Sequence, residues 1–591
     1  MVKNNKNSEA EKLKTEVERL KKELKKKKKY GLVWEDKPEE VVEMCKEKLP
    51  VLNEVKNKEI ITDKEKSVNL LIEGDNYHAL SVLNYTHAKK VDVIYIDPPY
   101  NTGKKKEWKF NDRWVDKKDA YRHSKWLSFM VKRLKLTKNL LKDSGVIFIS
   151  IDDNEVGQLK LLMDHTDFFG ENNLIGIFTW IRKRKPSHLD THVRKNTEYI
   201  LCYARSRKNL SPLKSSPAEE DKPYPFYNTG NTRKILKFPA NYVQASTLKD
   251  GIYNSQEFRD KKTRVKLLDK VEVKKGLIIN SFELEGEWRY SQDTLNDLIG
   301  QKAAVIIKGK KFKPYYIRKL KGTFNELKNT MTILGATGRL KKEFSNGDLV
   351  EEELLIGTNE DAEEQLSQMG IKFNNPKPVS LIKFLIKVTT RQPKDYLVLD
   401  FFAGSGTTGH AVFDLNKKDG GDRKFILCTN NEDNNNDGHK IAKDICYPRI
   451  KKVIKGYKNL KGERVAGLGG NLKYFETDFV DYNEPTDKNK IKLTEQATEM
   501  LCVKEGTFKK VIDNKRFKIF KNSNHYTGII FDQAAIPTLK KAIKGIRGRF
   551  SVYVFSLGDE TFDDEFKDVK QKVQLSPIPE AILRVYRRIF K

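Results

Sequence analysis

Cysteine is scarce. The 591 residues hold five, Cys45, Cys202, Cys428, Cys446 and Cys502, with no CxxC pair and no Cys/His spacing suited to zinc. That scatter excludes a disulfide framework, argues for a reducing cytoplasmic setting, and leaves no metal expected. No run approaches the roughly 18–20 uncharged apolar residues of a membrane helix. The opening MVKNNKNSEAEK lacks the apolar stretch that directs export. There is no G-x-x-x-x-G-K-[ST] loop, so no conventional ATP-driven motor is expected here. Nor is there a Pro-Cys dipeptide to supply a thiolate that attacks a pyrimidine ring carbon.

Acidic residues are outnumbered. Asp and Glu total 82 against 114 Lys and Arg, a net charge of +32. Such a surplus attracts polyanions, because neutralising phosphates releases condensed counterions. Lysine-rich composition from an AT-rich genome is the other source of it. With 38% apolar and 10% aromatic residues the chain can build globular cores, and its length suggests about three to five compact units.

Residues 1–30 read as a charged helical arm, with Leu13, Val17, Leu20 and Leu24 at heptad spacing. From 31 to 205 buried strands alternate with helices: SVNLLIEGD, VDVIYID, GVIFISID and TEYILCYAR are strand-like, and HSKWLSFMVKRLKLTKNLLK (123–142) is an amphipathic helix. Periodicity weakens over 206–370. It returns over 371–460 with PVSLIKFLIKVTT (378–390) and the strand–turn–helix DYLVLDFFAGSGTTGHAVFDL (395–415). Residues 461–591 read as a C-terminal mixed α/β domain, with SVYVFSL (551–557) alternating like a half-exposed strand and a helix starting near Pro579. The expected fold is α/β: a mostly parallel Rossmann-like sheet interrupted by a large insertion.

Two motifs carry chemistry. Asp97-Pro98-Pro99-Tyr100 follows the strand VDVIYI directly, and ligands in open α/β sheets bind beyond the carboxyl ends of strands. The two prolines hold their predecessors extended. The Asp97 carboxylate and the Pro98 carbonyl can then converge on one –NH₂ group, while Tyr100 offers a face for a planar ring. A rigid turn with Tyr100 as a lid over the core is the plainer alternative. Asn101-Thr102-Gly103 supplies a turn at which backbone can approach a ligand.

The second motif runs Asp400-Phe401-Phe402-Ala403-Gly404-Ser405-Gly406-Thr407-Thr408 between a strand and a helix. Its glycines admit a sharp turn and close backbone approach. It matches GxGxxG formally, but an acid at the strand end repels pyrophosphate and suits an ammonium. S-adenosylmethionine, which has an α-ammonium and no phosphate, fits better than a dinucleotide. Glu432, beyond the next strand, is a candidate for ribose hydroxyls or simply part of an acidic loop.

In that order the two motifs resemble those of beta-class amino-methyltransferases of DNA. KYGLVWEDKPEEV, LIEGDNYHALSVLNYTH, VDVIYIDPPYNTG, YRHSKWLSFMVKRL, GVIFISIDDNEV and SPIPEAILRVYRRIF look like the modification (Mod) subunit of Type III restriction–modification systems. The resemblance implies adenine-N6 methylation of double-stranded DNA by base flipping, with S-adenosylmethionine as donor. It assigns Asp97, Pro98, Pro99 and Tyr100 to catalysis and Asp400 to Thr408 to the cofactor loop. It places Asp75 near the cofactor's adenine, where Asp75 could equally cap a helix, and Lys377-Pro378 near its methionine end. It further implies a homodimer and a separate restriction (Res) subunit, the 461–591 segment and the arm being candidate interfaces.

The insertion 206–370 is then the expected target-recognition domain. Its Lys311, Lys313 and Arg318 interleave with Tyr315 and Tyr316, suiting phosphate contacts and stacking, or else forming a basic hairpin with an aromatic core. Arg182-Lys183-Arg184-Lys185 is a candidate clamp on the DNA backbone. Rival readings are N4-cytosine methylation, methylation of RNA or of a glutamine amide, an orphan methyltransferase without a nuclease, and a binding subunit with a vestigial site.

Overall fold

The computed structural model describes residues 17–18, 34–103, 107–111, 113–183, 192–193, 195–217, 222–245, 247–260, 263–309, 311–318, 324–326, 330–331, 356–389, 395–432, 438–482, 486–523, 525–558, 560 and 562–590. The expected arm, apart from Val17 and Glu18, lies outside them, as do Arg184 and Lys185. Contacts divide the chain into two units, Lys214–Leu327 and the remainder.

The larger unit is built on one sheet. Its main strands are β1 (Lys48–Glu54), β2 (Val68–Glu73), β3 (Val91–Ile96), β4 (Leu141–Ile151), β5 (Leu174–Ile181), β6 (Thr197–Ala204), β7 (Leu397–Asp400), β8 (Lys424–Thr429) and β9 (Asn471–Asp481). Their spatial order is β1-β9-β2-β8-β7-β3-β4-β6-β5. From β9 to β4 all neighbours pair parallel, whereas β1, β6 and β5 add on antiparallel. The mostly parallel sheet read from the apolar runs is present, and every residue of β3 is buried.

Helices α1 (Asn76–Thr86), α2 (Arg122–Leu140), α3 (Asn359–Gln368), α4 (Val379–Thr389), α5 (Thr407–Asp419), α6 (Tyr447–Lys455), α7 (Thr498–Glu505), α8 (Ile536–Gly545) and α9 (Glu580–Phe590) accompany the strands. All of α1 is buried, because α2, α7 and α9 pack around it. Its polar side chains are satisfied locally: Ser81 Oγ donates to the Tyr77 carbonyl, and Asn84 Nδ2 to the carbonyls of Leu80 and Leu136. A helix buried on every side tolerates polar residues only on such terms.

The adjacency of β3 and β7 positions the site. Val93 pairs with Val398 and Ile94 with Leu399. From β3 the chain passes through α2 to β4 on one side, and from β7 through α5 to β8 on the other. The carboxyl ends of β3 and β7 therefore diverge, and a crevice opens at such a switch point.

Three sequence expectations need correction. The insertion's folded body, Lys214–Leu327, is shorter than 206–370. Residues 356–370 belong to the sheet unit, where Trp180 Nε1 donates to the Gly357 carbonyl (3.2 Å) and a Thr358/Asp361 capping box starts α3. The segment after 461 is not wholly separate, since β9 lies within the main sheet between β1 and β2. SVYVFSL is not half-exposed. Phe550–Val554 are buried because Arg549–Phe555 is flanked on both sides, by His525–Ile530 and Val573–Ile578, in the C-terminal five-stranded sheet, with α8 contributing Leu539 and Ile543 to the same core. The terminal helix forms as expected. Its Tyr586 hydroxyl donates to the Pro50 carbonyl (2.5 Å), and Ile582 and Leu583 join the core that holds Ile94.

Lys214–Leu327 has its own core around Phe226, Phe238, Phe282 and Trp288, between a seven-stranded and a four-stranded sheet. Among the described residues, no helix is long and apolar enough to cross a membrane, and no His/Cys/Asp/Glu cluster could hold a metal ion.

Candidate active site

One cavity of about 670 Å³ occupies the switch point. Asp97, Pro98, Pro99 and Tyr100 line it from the end of β3, and Asp400 to Ser405 with Thr407 from the end of β7. Asp75, Lys377 and Glu432 line it too, so both sequence motifs share one space. Pro378, Gly406 and Thr408 are not part of this lining.

The Asp97 carboxylate is half engaged. Its Oδ2 accepts from Lys377 Nζ at 2.8 Å, whereas Oδ1 is buried with no hydrogen-bond partner. Trp126 Nε1 donates to the Pro99 carbonyl (2.7 Å) and fixes the proline pair. The Tyr100 hydroxyl donates to Glu198 Oε2 (3.1 Å). Burial and the adjacent Asp97 charge push that phenol well above its usual range. Lys377 Nζ lies 5.0 Å from the Tyr100 ring centroid and 3.3 Å from Glu198 Oε2. The resemblance places Lys377 at a ligand's methionine end; in the structure its ammonium reaches the Asp97 motif itself.

Sequence reasoning missed Glu198. It is 2% exposed on β6 and also meets Arg182 Nη1 at 3.4 Å. Burial raises its carboxyl despite the pull of Lys377 and Arg182. Arg182 lines the cavity, while Lys183 is partly exposed.

The glycine turn is tied from inside. Asp400 Oδ1 accepts from the Phe402 amide (3.1 Å) and Oδ2 from Thr408 Oγ1 (2.6 Å). The acid expected to meet an ammonium therefore has both oxygens engaged within its own loop, and burial raises it to about 7. Gly406 caps α5 at φ +82°, and a Cβ at this position would lie only 3.0 Å from Cys446 Sγ. Gly406→Ala is expected to destabilise the protein by about 1–2 kcal/mol from the left-handed backbone alone, as read by equilibrium urea unfolding. Beneath the turn Arg449, fully buried, donates from Nη1 to Ser405 Oγ and Thr407 Oγ1, both at 2.8 Å. No local pattern around Arg449 singles it out.

Asp75 is the helix cap the sequence allowed, and it faces the cavity as well. It caps α1 through the Tyr77 amide (2.7 Å) and lines the cavity, where Arg133 pairs with it at 3.3 Å. Glu432 is exposed at the cavity beyond β8.

The turn after Tyr100 is anchored by Glu155, which is 0% exposed. Its Oε1 accepts from Asn101 Nδ2 (2.5 Å) and lies 2.6 Å from His123 Nδ1. Burial pushes this carboxyl from 4.5 up to about 8. A carboxyl raised by folding contributes stability that is complete below its unfolded value and is lost as pH climbs through the folded one. Glu155→Gln is therefore expected to flatten the decline in stability between pH 4.5 and about 8, measured by urea midpoints across that range.

In Lys214–Leu327 the expected contact residues divide. Tyr316 packs against the core, 6.0 Å from Phe226 and 5.8 Å from Tyr290. Tyr315 meets Tyr227 at 6.3 Å, with Lys313 Nζ 5.2 Å from the Tyr227 ring. Lys311 is exposed, and the Arg318 side chain lies outside the described residues.

The sequence profile of a family described as DNA methylase matches residues 91–436. The chain is 32% identical over 421 residues to the Type III restriction-modification enzyme StyLTI Mod subunit of Salmonella typhimurium, covering 66% of this chain and 57% of that one. It is 32% identical over 431 residues to the EcoPI Mod subunit of Escherichia phage P1, covering 66% and 63%. The chain thus spans less than two thirds of either Mod subunit. Against the Type II methyltransferase M.KpnI of Klebsiella pneumoniae it is 28% identical over 430 residues, 70% of this chain and 94% of that one.

Proposed function

The chain belongs to the DNA methylase family, and on that premise we propose that it transfers a methyl group from S-adenosylmethionine to adenine N6 in double-stranded DNA, as the modification and specificity subunit of a Type III restriction–modification system. One observation carries the choice of chemistry. A buried carboxylate oxygen, Asp97 Oδ1, has no partner and lies beside Tyr100 in the cavity that the glycine turn also lines.

The cavity suits both ligands. Its volume falls within the roughly 300–1,000 Å³ typical of small-molecule sites. The left-handed Gly404 lets backbone approach a nucleoside, and the carboxylates of Asp75 and Glu432 offer acceptors for its polar groups. S-adenosylmethionine, when bound, supplies a methyl group already activated by its sulfonium.

The protein's part is to present the amine. Extruding adenine from the duplex costs a few kcal/mol, and stacking on Tyr100 returns about 1–3 kcal/mol of it. Asp97 and the Pro98 carbonyl take the two N6 hydrogens and favour the pyramidal nitrogen whose lone pair can attack. Before the base enters, Lys377 Nζ donates to Asp97 Oδ2. Holding the amine in line with the methyl group then supplies much of the rate.

Lys214–Leu327 is the proposed reader of sequence, with Tyr315, Lys311 and Lys313 near the backbone. The proposed partners are a second copy of the chain and a separate Res subunit. A second reading, an orphan methyltransferase, draws on the fuller coverage of the type II enzyme. Methylation-sensitive sequencing of DNA from cells expressing the chain tests the proposal. N6-methyladenine at one fixed sequence is expected; N4-methylcytosine, or no mark, would overturn it.

A further inference from the structure

Four charges crowd the end of β3. Asp97 and Glu198 are the anions, Lys377 and Arg182 the cations. Lys377 is 6% exposed, with Trp180 (5.8 Å) and Tyr100 (5.0 Å) beside its ammonium. It therefore makes one contact proposed for the target amine, an N–H bond to Asp97, and lies beside the Tyr100 ring on which the base would stack. A base that stacks on Tyr100 with its amine on Asp97 competes with the ammonium for Oδ2 and for the space beside the ring.

We infer that Lys377 is a stand-in for the target amine, and that Glu198 is the positioning residue that receives it when the base enters. The inference rests on the methyltransferase reading above. Lys377 Nζ is 2.8 Å from Asp97 Oδ2 and 3.3 Å from Glu198 Oε2, so a small shift moves it from one carboxylate to the other. Glu198 is set to receive it, held on β6 by the Tyr100 hydroxyl and Arg182. The move keeps the Lys377 ammonium on a carboxylate, which a retreat of Lys377 alone would not, and leaves Asp97 to accept from the amine. Asp97 Oδ1, already open, takes the first hydrogen bond from the amine before Oδ2 is released. Base entry is then an exchange of donors on one carboxylate rather than a bare opening.

This makes an unusual demand on double variants. Glu198→Gln removes the receiving charge and leaves Lys377 bound to Asp97 alone, so the base is kept out. Removing the lysine as well should let it back in. A Glu198 needed only for folding would cost duplex affinity together with the signal, which separates the two roles.

The test uses the full chain and a duplex carrying the site mapped by sequencing, with 2-aminopurine at the methylated position. Its fluorescence rises when the base leaves the stack, with no methyl transfer needed. The wild type should brighten the probe; Glu198→Gln should reduce the extruded population by about tenfold, with duplex affinity kept. Adding Lys377→Met to Glu198→Gln should restore most of the signal, and Lys377→Met alone should brighten at least as strongly as wild type. A Glu198→Gln chain as bright as wild type, a double variant as dark as Glu198→Gln, or a dark Lys377→Met chain each overturns the inference while leaving the methyltransferase reading intact. A wild-type chain that neither brightens the probe nor methylates the duplex overturns both.

Discussion

Asp97→Ala is expected to slow methyl transfer by about 10²–10⁴-fold, the range seen when a positioned acceptor or donor is removed from a reacting group, while binding of duplex and of S-adenosylhomocysteine stays close to wild type. The amine loses the acceptor that helps pyramidalise it, and the Pro98 carbonyl alone cannot hold two hydrogens. Lys377 loses the nearer of its two carboxylates. Asp97→Asn separates these effects. It keeps a carbonyl oxygen of the same shape but no charge, so its defect should be smaller than that of Ala. Single-turnover rates with saturating donor and duplex make the measurement, since they bypass product release. An Asp97→Ala chain that methylates at the wild-type rate would remove this residue from the chemistry.

The parts of this site that the sequence announced are those in which a local string carries its own geometry. VDVIYI is apolar at nearly every position, so it reads as a buried strand, and Asp-Pro-Pro-Tyr at its end reads as a rigid display. The glycine turn is legible for the same reason: only certain residues permit its backbone. What could not be read is which distant charge answers which. Glu198, Arg182 and Lys377 meet across β5, β6 and the approach to α4, and no local pattern encodes that meeting. A faint signal existed. Glu198 is the one charge in TEYILCYA. A charge at a position whose neighbours are all core is either misplaced or paired. The boundary at 461 failed likewise, because β9 pairs with β1 and β2, some four hundred positions earlier in the chain. The internal bonds of Asp400 to Phe402 and Thr408 were equally hidden, because a string shows residue types but not which way a carboxylate faces.

Arg133 sets the second large effect, on stability rather than rate. It is 0% exposed, its guanidinium lying 3.7 Å from the Phe129 ring centroid. Nη1 donates to Glu39 Oε2 (2.9 Å), Nη2 lies 2.8 Å from Glu39 Oε1, and Asp75 and Asn76 Oδ1 take further donors. Arg133→Met keeps most of the volume but leaves Glu39, only 5% exposed, as a buried carboxylate without its cation. Breaking such a pair from one side costs about 3–5 kcal/mol, and urea unfolding should show a loss of that size. Removing the second charge should return much of it, because replacing a whole buried pair with apolar groups is often near neutral. Arg133→Met with Glu39→Met is therefore expected to be more stable than Arg133→Met alone. Asp75 makes the functional half of the argument. It lines the cavity and is held by both the α1 cap and Arg133. Even the restabilised double variant should therefore bind S-adenosylhomocysteine more weakly than wild type, because the charge that orients Asp75 is gone. If full stability and full affinity both return together, Arg133 serves the core alone and does not reach the ligand.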